Sequence, residues 1–546
     1  MPEYLAPGVY VEEISTGARP IEGVSTSTTG FVGQTERGPM LPRLVTSWEE
    51  YYRWYGGYID RPPNTTTHVF LPYAARGFFD NGGQRLFIAR IVPDGAAPAT
   101  TTLDGDPGGT NITAVGPGAW GNNILVRVSL ASVVNPDDPD ANPTTRDWFR
   151  LTLIYYRDGI PEPFVDPFDP TQLANPARKE PDITEDFDNL SIDPTDPNFA
   201  RSVVNASSRL ISITAVGGKP APVAFADEKA LEGGENGDDD PGLDQYRGSP
   251  QDPVERRTGL LGLEAIRDIS IIGVPDEVSF NGADLDAMRS DVLIQCERLK
   301  DRFAIFSATE AEQNLAINQI RPPQDSTYGA YYLPWVRVVA THTPEGHLLV
   351  PPTGHLAGIY ARVDVERGVH KAPANEVVRG IVTRDLSGEH KPLKYLLNKQ
   401  QQDILNPKGV NVIRDFRPDG RGIRVWGART SSSDPMWKYI NVRRLFIFIE
   451  QSIDRGTQWS VFEPNYEPTW TAIRLSITAF LRTVWRNGAL AGVTPDEAFF
   501  VKCDRTTMTQ DDWDNGRLIC LIGVAPVKPA EFVIFRISQK TVESEQ

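Results

Sequence analysis

Apolar and polar residues recur with different periods along this chain, and the changes of period mark its organisation. Near the start, LAPGVYVEEI alternates at period two after Pro7-Gly8, with Val9 and Val11 on one face and Tyr10 and Glu12 on the other. That pattern predicts a short strand ahead of any core-forming segment, one that must pair either within the chain or with another subunit. Residues 26–93 mix both periods. TTGFVGQT predicts a strand ending in the turn ERGP, and RLFIARIV (Arg85–Val92) a buried strand. SWEEYYRWYGG predicts a short helix with Ser47 as N-cap and Glu50 at the spacing of a reciprocal capping box. FLPYAARGFFDNGG predicts a second helix closed by Asn81-Gly82-Gly83.

From 258 to 375 strand and helix patterns alternate. ISIIGVP (Ile269–Pro275), RFAIFSA (Arg302–Ala308) and AYYLPWVRVV (Ala330–Val339) read as strands. Ala283–Lys300, Ala311–Ile320 and Gly354–Arg367 read as helices. Such alternation predicts a largely parallel sheet covered on both faces, which the strands of 26–93 would complete. Between them, 94–257 breaks the pattern. Scattered strands (Asn122–Leu130, Trp148–Tyr156, Arg209–Val216) are separated by Asp/Pro/Asn tracts such as NPDDPDANP and the low-complexity EGGENGDDDPG. This reads as an inserted all-β domain.

The last hundred or so residues hold strong elements and almost no chemistry. They run from Trp437–Ile453 through Val461–Trp485, with a helix over Trp470–Trp485, to Cys520–Gln539. Cys520–Val524 reads as a buried apolar strand, interrupted by Pro526 and Pro529. Phe532–Ile537 then resumes as a second strand, free to leave its own domain and pair with another sheet edge.

Charge sharpens the picture. The formal net charge is −17, and 94–257 alone carries 28 Asp+Glu against 13 Lys+Arg, together with 19 of the 45 prolines. An acidic excess there argues against nucleic acid as its partner, and the nearly neutral remainder suits faces that pack against copies of themselves. With 546 residues, two to four domains are expected. No run of eighteen apolar residues is present, so no membrane insertion is expected. MPEYLAPGVYVEEI lacks the basic and apolar regions of a secretory signal, so export by the general pathway is not expected. Three cysteines (Cys296, Cys503, Cys520) give neither metal spacing nor a disulfide framework and read as reduced thiols.

Candidate chemistry is sparse. GPGAWG (Gly116–Gly121) fits G-x-G-x-x-G, but Pro117 sits inside it and a strand follows where a dinucleotide site needs a helix. His342, His347 and His355 cluster in sequence without the convergent spacing zinc needs. There is no P-loop; no catalytic, cofactor or metal residue is expected. Arg414, Arg417, Arg421, Arg424 and Arg429, near Trp426, suggest either nucleic-acid binding or, the favoured reading, pairing with carboxylates of a neighbouring subunit. Arg443 and Arg444 read the same way, as buried or interfacial charges that set register.

Several stretches resemble contractile tail sheath proteins of myophage tails, R-type pyocins and extracellular contractile injection systems. In the C-terminal part they are INVRRL (Ile440–Leu445), VFEPN (Val461–Asn465), TPDEAFFVKCD (Thr494–Asp504) and the ending PAEFVIFRISQ. Upstream they are APGVYVEE, Ser25–Pro39, GAWGNNILVRV, AYYLPW, Pro351–Arg362, Gly368–Asn375, NPKGVNVIRDF and Gly422–Asp434. The resemblance covers nearly the whole chain and is weakest within 131–257.

The resemblance implies an α/β multidomain fold. It comprises a subtilisin-like α/β domain without a triad (26–93 plus 258–375), an acidic inserted β-sandwich domain on the outer surface (94–257) and an α+β C-terminal domain (376–530). Extended N- and C-terminal arms (1–25 and 531–546) complete it. At the place where the resemblance would put a protease nucleophile, PPTGHLAG offers Thr353 and His355 but no serine. The resemblance further implies intersubunit strand exchange through Gly8, Val9, Tyr10, Val11 and Glu12 and through Glu531, Phe532, Val533, Ile534, Phe535 and Arg536. The inner face would meet a tube protein, with Asp511, Asp512 and Trp513 in Thr507–Arg517, or the Trp470–Trp485 helix, as interface candidates. Expected partners are further copies in stacked hexamers, an inner tube protein, baseplate and terminator or cap proteins, and sheath paralogues, with no nucleic acid. Assembly is expected in the cytoplasm, in a phage tail or a tail-like particle released outside the cell. The rival readings are a non-contractile surface or adhesion module and a subtilisin-like hydrolase.

Overall fold

The computed structural model describes residues 19–59, 69–103, 109–133, 148–216, 228–237, 240–382, 391–534 and 536. The first elements are β1 (Thr29–Gln34), β2 (Arg43–Val45), α1 (Trp48–Tyr55), α2 (Leu71–Asp80) and β3 (Leu86–Ile91). Ser47 caps α1, its Oγ accepting the Glu50 N–H at 3.1 Å. Glu50 reaches back not to Ser47 but to the N–H and hydroxyl of Thr46 (2.8 and 2.7 Å), so the expected reciprocal box is displaced by one residue.

There follow β4 (Thr100–Leu103), β5 (Thr110–Ala114), β6 (Ile124–Leu130), β7 (Trp148–Tyr155), β8 (Ile183–Ser191), α3 (Ala200–Ser207), β9 (Ile211–Ala215) and β10 (Lys229–Ala230). They build two antiparallel sheets, β10-β6-β7-β8 and β4-β5-β9. Ile112 and Ile213 from one sheet and Val126, Leu151 and Leu153 from the other are buried in a single core. β8, unanticipated from its acidic sequence ITEDFDNLS, is held by Arg150 and Thr152 of β7, which both donate to Asp186.

The chain continues with α4 (Leu243–Arg247), α5 (Gly259–Glu264), β11 (Ile271–Gly273), α6 (Gly282–Leu299), β12 (Phe303–Ser307) and α7 (Glu310–Gln313). Next come β13 (Gly329–Leu333), β14 (Val336–Val339), β15 (His347–Val350), α8 (Thr353–Arg367), α9 (Lys399–Leu405), β16 (Val410–Asp415) and β17 (Ile423–Val425). An eight-stranded sheet runs β17-β16-β13-β12-β11-β1-β3-β2. Its inner pairings are parallel and its two outermost strands antiparallel. The inner strands are almost wholly apolar because both faces are covered. A Cβ at Gly30 would meet Leu263 of α5, whereas one at Gly33 would meet Leu71 of α2. Alternation along β1 therefore puts α5 and α2 on opposite faces.

Three expectations for this region need correction. The helix over Ala311–Ile320 stops as α7: the Gln313 side chain turns back onto the Ala308 and Thr309 carbonyls, and Leu315, due on the buried face, is exposed. The strand over Ala330–Val339 splits at Pro334, which has no N–H for a ladder; β14 pairs instead with β15 in a separate sheet. The division after residue 375 cuts through a continuing sheet, since β16 and β17 extend it and Val410, Val412 and Val425 share its core.

The closing elements are α10 (Ile440–Thr457), α11 (Glu467–Arg486), α12 (Pro495–Ala498), β18 (Phe499–Lys502), α13 (Gln510–Asp514) and β19 (Leu521–Val524). Leu445 and Ile449 of α10 meet Ile473, Ile477 and Leu481 of α11 in a third, smaller core. β18 and β19 form an antiparallel pair against it. β19 was expected to be buried; as the outer member of a two-stranded sheet it leaves Leu521 50% exposed.

Candidate functional site

Both ends of the described chain converge on α10. Residues 19–28 run across the α10–α11 face. The Arg19 N–H donates to Ser476 Oγ of α11 (2.9 Å), and its guanidinium lies 4.5 Å from the Trp459 ring. The Val24 N–H donates to Ser452 Oγ of α10 (3.1 Å). Ile21 packs where a Cβ on Gly456 would come within 2.7 Å of it, so glycine there permits the close approach. Arg444 closes the contact from beneath, donating to the Thr26 carbonyl (2.8 Å) and to both carboxylate oxygens of Asp364 on α8 (3.0 and 2.6 Å). The pair is sealed from water, at 3% and 1% side-chain exposure. Burial pushes the Asp364 carboxyl above its ordinary value, opposed by the Arg444 charge. Gly8 to Glu12 lie outside the described residues.

The C-terminal end leaves β19 through Pro526, which bridges to Leu490, and Val527, whose carbonyl accepts from Asn441 of α10 (3.2 Å). It is then pinned by Glu531. One carboxylate oxygen accepts from Arg429 Nε (2.8 Å) and Asn406 Nδ2 (2.7 Å). The other accepts from Arg429 Nη2 (2.8 Å) and Tyr439 OH (3.0 Å). Burial raises this carboxyl, but the hydrogen bonds from Arg429 and Asn406 and the Arg429 charge outweigh it and hold the group down at about 2. Beyond the clamp, Phe532, Val533 and Ile534 are 70%, 67% and 78% exposed and pair with no strand among the described residues. In the described part of the anticipated second strand, Phe532–Ile534, no ladder forms and the apolar side chains stand in solvent. Arg536 is exposed, and Phe535 lies outside the described residues. A groove of about 1080 Å³ runs beside this segment, lined by Lys371, Gln402, Trp426, Arg429, Tyr439 and Phe532.

The arginines read as intersubunit contacts are engaged within the chain. Arg417 pairs with Asp415 (2.6 Å) and Arg429 with Glu531. Arg414, Arg421 and Arg424 donate to Gln402 Oε1, Asn375 Oδ1 and the Asn375 carbonyl respectively, and Arg414 and Arg421 stack over Phe416. Arg443 is buried against Tyr328 and Trp437 (4.6 and 4.3 Å) and reaches Glu450 at 3.0 Å.

Asp511, Asp512 and Trp513 stand together on α13, at the tip between β18 and β19. Asp512 forms a reciprocal cap with Thr509, Asp511 is exposed, and Trp513 packs edge-on against Trp470 of α11 (5.4 Å). Elsewhere, the Thr353 hydroxyl is fully buried and hydrogen-bonded to Ser307 Oγ at 2.7 Å. His355 is buried against Gly77, and desolvation lowers it to about 4. His342 meets Tyr73 OH (2.8 Å) and His347 meets Arg337, so the three histidines do not converge. No group of three metal-ligating side chains occurs among the described residues, and no helix among them is long and apolar enough to cross a membrane. Gly116–Gly121 leads into a 3-10 turn and then β6.

Asp364, Asn406 and Tyr439, which hold the two ends, carried no sequence signal because their partners lie far away in the chain. Glu531 carried one: an acid set alone before an apolar run needs a cation.

Comparison with known proteins bears on the same region. A family model described as the phage tail sheath protein central domain matches residues 259–431, and one described as the phage tail sheath C-terminal domain matches 432–540. Together they take in more than half of the chain. The tail sheath protein of Burkholderia phage BcepMu is 30% identical over 164 residues, 29% of this chain and 33% of that protein. That of Escherichia phage P2 is 25% identical over 245 residues, 43% and 57% of the two chains. The chain thus spans a third to little over half the length of these curated relatives. The helical sheath of the anti-feeding prophage in its contracted state superposes over 98% of this chain and 100% of its own, with a TM-score of 0.54 at 22% identity. The sheath complex of an extracellular contractile injection system, PVC, in its contracted state does so over 99% of both chains with a TM-score of 0.53 at 21% identity. At such identities the likeness is one of fold.

Proposed function

The chain belongs to the phage tail sheath family, and from that premise we propose that it is a structural subunit of a contractile sheath. It polymerises as stacked hexameric rings around an inner tube and contracts to drive that tube through a target envelope. Its partners are further copies of itself, the tube protein, baseplate and terminator or cap proteins, and any sheath paralogues. It is assembled in the cytoplasm into a phage tail or a tail-like particle. The function is mechanical rather than catalytic, and the α/β unit with its buried Thr353 and His355 is a subtilisin-like scaffold without a triad. The two-sheet acidic domain faces outward, where like charge keeps particles apart.

The observation that carries this reading is the C-terminal segment. A run of apolar β-formers (Phe532, Val533, Ile534) stands in solvent immediately after a four-donor carboxylate clamp. An exposed apolar β-segment beside an open strand edge is built to be completed by another chain. We assign Gly8–Glu12 and Glu531–Arg536 to intersubunit strand exchange. Glu531 is the hinge post from which that arm departs. Backbone pairing of this kind keeps subunits linked while their bodies rotate, at about 1 kcal/mol net per hydrogen bond. A helical stack needs a heterologous interface that does not close.

Negative-stain electron microscopy of the full chain and of a truncation lacking Glu531–Gln546 tests this. The full chain, with its inner-tube partner, gives striated hollow tubes that become wider and shorter after acid or urea shock. The truncation gives folded monomers and no tubes. Normal tubes from the truncation overturn the arm assignment, and discrete monomers from the full chain under every condition overturn the sheath function.

A further inference from the structure

Cys503 directly follows β18 and Cys520 directly precedes β19. The ladder between these strands ends with Lys502 opposite Leu521, so the two cysteines face each other one step past its last pair. Opposed residues of an antiparallel pair project to the same face with Cα atoms roughly 4.5–5.5 Å apart, within the span of a disulfide. Both sulfurs belong to one small apolar cluster with Trp470, Met508 and Trp513, and each thiol shifts the acidity of the other. Cys503 is buried and Cys520 half-buried, so a reagent from solvent meets Cys520 first. Each thiol's contact with the other lowers Cys503 and raises Cys520, so it is exposure rather than acidity that makes Cys520 the first to meet the reagent.

We propose that Cys503 and Cys520 are a modification site, a vicinal dithiol that a low-molecular-weight disulfide oxidises to a cross-strand disulfide. The Cys520 thiolate attacks one sulfur of the reagent and expels the other as a thiol, giving a mixed disulfide. The Cys503 thiolate then attacks Cys520 Sγ and expels the second reagent thiol. Two protein S–H bonds are lost and one S–S bond forms; the reagent disulfide takes up the two electrons and two protons. The bond closes a loop that contains α13 with Asp511, Asp512 and Trp513. It also clips β19 to β18, so the C-terminal segment hangs from a strand that can no longer peel away. Cys296, fully buried in α6 with its thiol pushed up by burial, is outside reach and serves as an internal reference.

The experiment uses the full-length protein, first reduced and then equilibrated with oxidised against reduced glutathione. Intact mass, non-reducing peptide mapping and thermal unfolding are the readouts. The expected product has lost two hydrogens, carries a single Cys503–Cys520 link, keeps Cys296 as a thiol and melts several degrees above the reduced protein. Cys503→Ser retains one glutathione on Cys520 as a stable mixed disulfide, and Cys520→Ser takes up none at Cys503. The proposal is overturned if the native protein ends with glutathione on Cys520 and no internal link. It is equally overturned if both thiols stay unreacted while Cys296 oxidises, or if the link formed joins Cys520 of two chains.

Discussion

The central sheet and the C-terminal hairpin treat their edges and their charges in opposite ways. The sheet closes each end with an antiparallel strand and buries its ionic groups where they satisfy one another. Arg289 is wedged between Glu277 (3.3 Å) and Glu312 (2.8 Å) and also donates to the Ser307 carbonyl. Asp276 accepts from the N–H groups of Gln34, Phe70 and Leu71 and from Tyr246 OH. The hairpin pairs its two strands only with each other among the described residues, and has a single half-buried clamp and apolar residues beyond it in water. A unit whose buried charges are paired internally, as Arg289 and Asp276 are, is suited to carry the stability of the chain. A unit that leaves apolar side chains in solvent is suited to association.

The largest expected effect tests the first half of that contrast. Arg289→Met strands the Glu277 carboxylate in a site 1% exposed, and breaking a buried pair in this way costs about 3–5 kcal/mol. Burial already pushes Glu277 up to about 7, against the pull of Arg289. Chemical denaturation should therefore show the full loss near pH 8 and a smaller one near pH 5, where the acid is neutral. An equal loss at both would show that charge burial is not the cause. Next in size, Glu531→Gln removes the charge from the clamp and costs about 1–3 kcal/mol of tail attachment. Faster amide exchange over residues 525–534 with an unchanged global midpoint is the expected outcome; a lower global midpoint would make the clamp part of the core.

Acid separates the two units without mutation. The Glu531 carboxyl is depressed from 4.5 to about 2, so its contribution is present above about pH 4.5 and is lost as pH falls toward 2. Asp276 is raised from 3.8 to about 6 by burial, so its contribution is complete below about pH 4 and is lost as pH rises through 6. Residue-resolved exchange between pH 7 and 3 should show the Asp276 contacts tightening on acidification while the tail loosens; parallel behaviour would refute the contrast. The smallest effect is Val533→Lys, a change in solvent expected to alter monomer stability by less than about 0.5 kcal/mol. Tube formation should nonetheless be lost.

The sequence was most readable where burial is two-sided. β1, β12 and β13 are almost wholly buried and rich in apolar residues, and α6 and α8 follow in the alternating order of a covered parallel sheet, so period and order sufficed. β8 escaped notice because its outward face carries Asp186 and Asp188 and its inward face adds Glu185, which accepts from Ser208 and the Arg209 N–H, in a domain already marked as acidic loop. Leu315 and Ile317 suggested a helix although their spacing of two never supported one beyond Gln313. At the site, the apolar ending announced itself. The pairings themselves, Arg444 with Asp364 and Arg429 with Glu531, did not: the partners lie 80 and 102 positions apart, and no local pattern joins them. The same limit explains why five arginines near Trp426 read as outward contacts when each already had an acceptor at home.

The placement of the two chain ends on α10 has a mechanical consequence. The tail is held at the beginning of this helix, through Tyr439 and Asn441, and the incoming segment nearer its end, through Ser452 and the close seat at Gly456. Tension applied to both ends at once enters one rigid rod at separated points and runs along its axis, where a ladder of backbone hydrogen bonds resists stretching. The same rod lends Ile440 and Ile447 to the core of the eight-stranded sheet and is tied to α8 by the buried Arg444–Asp364 pair, so a pull on the two ends is delivered to the body of the molecule through one element.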